Sequence, residues 1–235
     1  EDVRRAIDKL KSDGIDGFVL DLRNNGGGAL MDAVSIAGLF IKTGPVVQVK
    51  NADGRIQVLS DHDYSVAYEG PMIVLVNRFS ASASEIVAGA IQDYGRGIII
   101  GGTHTHGKGT VQAMIDLNQR PMLSNMEKYM PLGALKLTTQ KFYRISGAST
   151  QYRGIEPDIV LPDRYENLKS GEQYLDHSLP WDTVKPVPFD SWQERQPPIS
   201  FLQAKSSIRV DKDEDFVEID ELSRRSKEKM EKTLQ

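Results

Sequence analysis

PMIVLVNRFSASASEIVAGA, residues 71–90, passes from an apolar run into a helical pattern through three serines at alternate positions, Ser80, Ser82 and Ser84. MIVLV is the short β-branched run of a buried strand, and SEIVAGAIQDY beyond it carries the apolar spacing of a helix. A strand feeding a helix is the repeating unit of an α/β fold. The serines at the junction admit two readings. In one, Ser80 or Ser82 caps the helix that starts near Ala83, and Glu85 completes a capping box with Ser82. In the other, a serine there is a nucleophile, because free backbone N–H groups and the macrodipole stabilise an oxyanion at a helix N-terminus. A good cap position is also a good nucleophile position, so the local pattern leaves both open.

The same rhythm continues on either side. Val3, Ala6, Ile7 and Leu10 recur at helical spacing before Gly14, and GFVLDL follows as a strand. After NNGGG comes a second helical pattern through Leu30, Val34, Ala37 and Phe40. VVQV and RIQVL flank Asn51, Ala52, Asp53 and Gly54 and read as a hairpin. GIIIG is a strand, and further strands fall around Thr110–Ile115 and Ala134–Tyr143. The pattern predicts an α/β core with a mostly parallel sheet over residues 1–163. Residues 164–200, rich in Pro, acidic and aromatic residues, predict an extended segment lying on that core, and the charged stretch from Asp211 predicts a terminal helix.

Composition narrows the function classes. The chain has 235 residues with a net charge of -4 and no basic block, which argues against a nucleic-acid surface. It has no cysteine, which removes disulfides, thiolate catalysis and cysteine zinc sites. No apolar run approaches the roughly 20 residues a bilayer span needs, so no stable membrane insertion is expected. The first residues, EDVRRAIDKLKSDG, lack an initiator methionine and read as the start of a fragment.

A nucleophilic serine needs a base. His104 and His106 are candidates, and so is Lys108, which stands between two glycines in THGKGTVQ. A lone lysine is ordinarily a solvated surface charge. Its combination with a serine turn and a triple glycine after an early strand gives it weight. NNGGG lacks the spacing of a dinucleotide loop and the GK[ST] ending of a phosphate loop. A tight turn presenting a backbone N–H to an oxyanion accounts for it better. The two histidines share a face if their segment is extended, but no third metal ligand accompanies them.

The ordered set DLRNNGGGAL, LVNRFSASASEI, IQDYGRG, GKGTVQ, QKFYRISGASTQYRGIEPDI and LPWD resembles the carboxyl-terminal processing, or tail-specific, proteases, serine endopeptidases with a Ser-Lys dyad. The likeness is strongest to the large periplasmic branch of Gram-negative bacteria. It implies a crotonase/ClpP-like βαβ core, Ser82 as nucleophile, Lys108 as general base and Gln112 as its orienting partner. It further implies an oxyanion hole from the backbone N–H groups of Gly28 and Ala83, with Asp93 as a supporting residue, and neither metal nor cofactor. His106 stands where the family more often has an aromatic residue, and the interval from Ser82 to Lys108 is one residue longer than the family's.

The resemblance divides the chain into a catalytic core, 1–163, and a C-terminal extension, 164–235. It places a substrate-capturing PDZ domain upstream of Glu1, outside these residues. The expected substrates are proteins or peptides with apolar C-termini, with an adaptor or regulatory protein as possible partner and the periplasm as location. The competing expectation is a catalytically silent fragment that acts as a peptide-binding or scaffold module. A crotonase-type acyl-CoA enzyme would share the glycine-rich oxyanion hole, but its CoA-binding basic residues and carboxylates have no counterpart here.

Overall fold

A computed structural model describes residues 1–119, 128–193 and 197–233. The elements run α1 (Asp2–Ser12), β1 (Phe18–Asp21), α2 (Leu30–Gly38), β2 (Gly44–Asn51), β3 (Ile56–Asp61), β4 (Met72–Val76) and α3 (Ala83–Asp93). They continue with β5 (Ile98–Gly101), β6 (Thr110–Asp116), β7 (Ala134–Tyr143), β8 (Ile159–Val160), α4 (Ile199–Val210) and α5 (Glu214–Thr233).

MIVLV and IIIG pair as adjacent parallel strands, with Ile73 opposite Ile98, so β4, α3 and β5 form a βαβ unit. The sheet order is β1-β4-β5-β8, parallel throughout. This is the expected parallel core. The remaining strands form a second sheet, β3-β2-β7-β6, which is antiparallel throughout. Its β2–β3 hairpin turns through Asn51–Gly54 as the sequence reads. α3 packs against α2, against β2 of one sheet and against β5 of the other. Every residue from Ala83 to Ile91 is therefore buried, which explains a stretch apolar on all faces except for Ser84 and Glu85.

Residues 164–193 contain one short 3-10 turn, Glu172–Tyr174, and otherwise lie irregularly along the core. Phe189 stacks on Tyr94 at 5.0 Å between ring centroids, and the Arg96 guanidinium sits 4.6 Å over Trp192. The expected terminal helix is α5. α4 is an addition to the reading: ISFLQAKSSIRV turns only Leu202, Ser206 and Val210 away from solvent, too narrow a stripe to announce a helix. Residues 194–196 of the expected extended segment and the last two of the terminal helix lie outside the described residues.

Candidate active site

The three serines have separate positions. Ser80 is fully buried, donates its hydroxyl to the Leu22 carbonyl at 2.7 Å and accepts the Asn77 N–H at 3.0 Å. Ser84 donates to Asn25, with its Oγ 2.9 Å from Oδ1 and 3.0 Å from the carbonyl oxygen. Both pin the turn to the strand-to-glycine loop beside it. Ser82 is the N-cap of α3 at φ 57° and ψ -114°, a left-handed conformation that a non-glycine residue keeps only where its surroundings impose it. Ser82 and Glu85 form the expected capping box: the Glu85 carboxylate takes the Ser82 N–H at 2.7 Å. The Glu85 N–H in turn meets the Ser82 side chain, closing the box, and bonds the Ser82 carbonyl at 2.9 Å.

Asn25 organises the glycine loop. Its Oδ1 accepts the Gly27 N–H at 2.9 Å, and its carbonyl accepts the Ala81 N–H at 3.0 Å. Gly27 has φ +99°, and a Cβ there would stand 2.9 Å from the Ala83 nitrogen, so only glycine permits this approach to the serine turn. The N–H groups of Gly28 and Ala83 have no partner among the described residues. Both residues line one cavity of about 370 Å³ whose wall is largely apolar, with Leu20, Leu22, Ala33, Ile36 and Val87, and also carries Asp21 and Asp32.

Lys108 approaches from the loop between β5 and β6. Its Nζ donates to Gln112 Oε1 at 3.0 Å. In the β6–β7 pairing Val111 faces Gln140 and Gln112 faces Thr138, so Thr139 of β7 is an extra residue opposite this point, a bulge of the kind found beside functional sites. The lysine is half-buried and is not hydrogen-bonded to Ser82. The flanking glycines serve a tighter purpose than openness. A Cβ on Gly107, at φ +83°, would lie 2.8 Å from the Tyr152 carbonyl, so the 149–152 loop packs directly on this backbone. Thr150 donates to the Lys108 carbonyl at 3.0 Å, and the fully buried Gln151 accepts the Gly109 N–H at 2.8 Å.

Glu85 joins the two halves. Its Oε2 accepts both the Ser82 N–H, at 2.7 Å, and the Lys108 N–H, at 3.0 Å. Its Oε1 accepts the Gly107 N–H at 2.7 Å and the Thr105 hydroxyl at 2.5 Å. Burial raises its pKa from an ordinary 4.5 to about 7, against the lowering effect of these four donors. Sequence reading saw Glu85 only as half of a cap and missed Asn25, Thr105 and Gln151. Their residue types are common in turns, and nothing local signals the partners they reach across the fold.

The other candidates lie apart. Asp93 is at the opposite end of α3, about 16 Å from Ser82 for an 11-residue helix. There it forms a bidentate pair with Arg144, at 2.6 and 3.1 Å. His104 Nδ1 is 2.6 Å from the Thr105 carbonyl, and so carries a proton. His106 turns toward Glu172 at 3.8 Å, and burial lowers its pKa while Glu172 opposes the shift.

A parallel α/β core, a strained serine at a strand-to-helix turn and a lysine loop tied to that turn define a chain of the serine-peptidase class. The chain belongs to peptidase family S41, whose model matches residues 1–161. A second family model, the C-terminal domain of tail specific protease, matches residues 165–235. The Tail-specific protease of Haemophilus influenzae is 44% identical over 227 residues, covering 94% of this chain and 32% of that protein. The Carboxy-terminal-processing protease of Bartonella bacilliformis is 42% identical over 181 residues, 71% of this chain and 37% of that one. Among solved structures, a photosystem II D1 C-terminal processing protease aligns with a TM-score of 0.57 and 33% identity, over 68% of this chain and 38% of its own. The chain thus spans about a third of the length of the curated relatives it matches.

Proposed function

We propose that this chain is the catalytic part of a serine endopeptidase that cleaves proteins recognised through their C-terminal tails. The observation that carries the reading is the single carboxylate oxygen of Glu85 that accepts the N–H groups of both Ser82 and Lys108. One atom thereby holds the nucleophile and base backbones together, beside the two unpartnered N–H groups of Gly28 and Ala83.

In this mechanism the neutral Lys108 amine removes the Ser82 hydroxyl proton as Oγ attacks the scissile carbonyl. The oxyanion is received by Gly28 N–H and Ala83 N–H, donors fixed before the charge develops. Lys108 returns the proton to the leaving amine, then activates the water that releases the acyl group. Gln112, a neutral acceptor, orients the amine without stabilising its ammonium form as a carboxylate would. The largely apolar cavity beside Gly28 and Ala83 suits an aliphatic side chain at the cleaved bond. Ser82 and Lys108 approach each other only when substrate is bound, as catalytic hydrogen bonds often tighten in the loaded site.

The division into a core, 1–163, and an extension, 164–235, is part of the proposal. It draws support from the positions of the two family matches. An upstream PDZ domain, apolar C-termini as substrates, an adaptor protein and periplasmic residence are proposed from the resemblance to the tail-specific branch. Among the described residues no helix is long and apolar enough to cross a membrane. The unformed Ser82–Lys108 hydrogen bond favours one second reading, a fragment that binds peptide and stays silent without its upstream part.

The test is labelling by a fluorophosphonate together with cleavage of an unstructured peptide ending in apolar residues. Labelling and cleavage should both vanish in Ser82→Ala and in Lys108→Ala, with circular dichroism unchanged. Peptide binding by the unmodified chain without labelling or cleavage, even with upstream sequence supplied, would establish the silent-fragment reading.

A further inference from the structure

A cavity of about 350 Å³ lies away from the catalytic candidates, between the 159–166 segment that leaves the core and helices α4 and α5. Four carboxylates line it: Asp163, Glu166, Asp211 and Asp220. No lysine, arginine or histidine does, and none of the four acids forms an ion pair among the described residues. Asp163 and Glu166 are half-buried, where an uncompensated negative charge is costlier than on an open surface. Like charges that line one cavity repel one another, and a positive group entering the cavity offsets that repulsion.

A separate observation comes from Ser206. This serine on the inner face of α4 is 7% exposed, lines the cavity, and its hydroxyl has no hydrogen-bond partner among the described residues. A serine inside a helix usually bonds back to the carbonyl four residues earlier or to solvent. Ser206 instead presents an unused donor and acceptor to a cavity whose apolar lining includes Ile159, Leu161 and Val210.

We propose that this cavity binds an alkylammonium chain, its methylenes against the apolar wall and its charged head among the carboxylates and the Ser206 hydroxyl. Among the described residues no three acids converge closely enough to hold a metal ion, so a compact cation does not fit the arrangement. A guanidinium is served best by both oxygens of one carboxylate, whereas an ammonium head takes three separate acceptors, the kind of single oxygens spread here. The chemistry is shared by the lysine side chain of a bound polypeptide and by a free diamine. The site also touches the catalytic region. Glu166 accepts the Thr103 hydroxyl at 2.8 Å, in the loop leading to Lys108, and its carbonyl accepts from Arg78, just ahead of the serine turn.

The experiment titrates the chain, at low salt, with cadaverine and with the peptide acetyl-Gly-Lys-Gly-amide, and follows amide shifts by NMR. The same peptide with norleucine for lysine is the uncharged control. Expected are saturable shifts confined to 159–166, α4 and α5, absent with norleucine. The affinity should be weaker by about tenfold in Asp211→Asn/Asp220→Asn, whose substitutions sit on the surface and spare the fold. Ser206→Ala should weaken binding in the same direction without altering α4. Saturation by cadaverine alone assigns the site to free diamines, by the lysine peptide alone to a protein partner, and by both to the shared group. Shifts scattered over the acidic surface, no saturation with either probe, or undiminished affinity in the double variant would overturn the proposal. None of these readouts depends on proteolysis, so a failed peptidase assay leaves this result standing.

Discussion

Asn25 reaches both sides of the candidate oxyanion hole. One side-chain oxygen takes the Gly27 N–H and the Ser84 hydroxyl, and the backbone oxygen takes Ala81 N–H and the same hydroxyl. Asn25→Ala should release the glycine loop and lower kcat by roughly 10²-fold with KM little changed, because the loss falls on charge that develops after binding. Asn25→Asp keeps the acceptor and should recover most of the rate. Ser84→Ala should act in the same direction and more weakly, which a kcat and KM series on the three variants will check. The histidines make a contrasting case. His104 Nδ1 is turned to the Thr105 carbonyl and His106 Nε2 toward Glu172, and neither is hydrogen-bonded to Ser82 among the described residues, so neither is placed as the base. The double variant His104→Ala/His106→Ala should keep the pH limb of kcat/KM where the unmodified chain has it. A limb that disappears with the histidines while the fold persists would move the base assignment from Lys108.

At the scale of elements, α3 is the piece on which both halves of the site depend, and Glu85 is its buried charge. The folded pKa of about 7 lies above the ordinary 4.5, so the protonated form favours the native state. The stabilisation is complete below about pH 4.5 and is lost as pH rises through about 7. Glu85→Gln does not titrate. The stability advantage of the unmodified chain over this variant should therefore shrink by roughly 3 kcal/mol between pH 4.5 and pH 8, read from urea melts across that range. A gap that widens with pH would mean that the four donors and the helix N-terminus outweigh burial. The β7 bulge at Thr139, opposite the start of β6, has a complementary part. It sets Gln112 against Lys108, although the two are separated by the transition from loop to strand.

Over the whole molecule, the 166–179 segment holds the serine turn and the lysine loop from outside. The Arg78 guanidinium, nearly fully buried, donates to the carbonyls of Leu168 and Glu166, the latter at 2.7 Å. The Glu172 N–H donates to the His106 carbonyl at 3.1 Å, and the His106 N–H donates to the Ser80 carbonyl at 3.0 Å. Gln151, which accepts from Gly109, donates to Leu179 at 2.8 Å. Serine turn, lysine loop and the 166–179 segment are thereby one connected network. Arg78→Ala should cost about 2 kcal/mol, as two buried carbonyls lose their charged donor. Amide exchange should then speed up together in 166–172 and 104–108. Acceleration confined to 166–172 would show that the extension covers the site without bracing it.

The strands, the helices of the core and the serine junction were legible in the chain itself, since periodicity and β-branched runs are local properties of contiguous residues. MIVLV, SEIVAGAIQD and GIIIG are examples: each carries its own pattern, and their βαβ order implies parallel pairing. The candidate site residues were legible through ordered motifs. What each one touches was not. That Ser80 and Ser84 are pins while Ser82 is strained at φ 57° depends on Leu22 and Asn25, more than 50 residues earlier. The split into two sheets and the packing of 149–152 against Gly107 arise from the same cause. So does the conversion of a capping glutamate into the tie between serine and lysine. Hydrogen bonds and burial between distant segments exist only after the chain has closed, so these were decided by the tertiary structure.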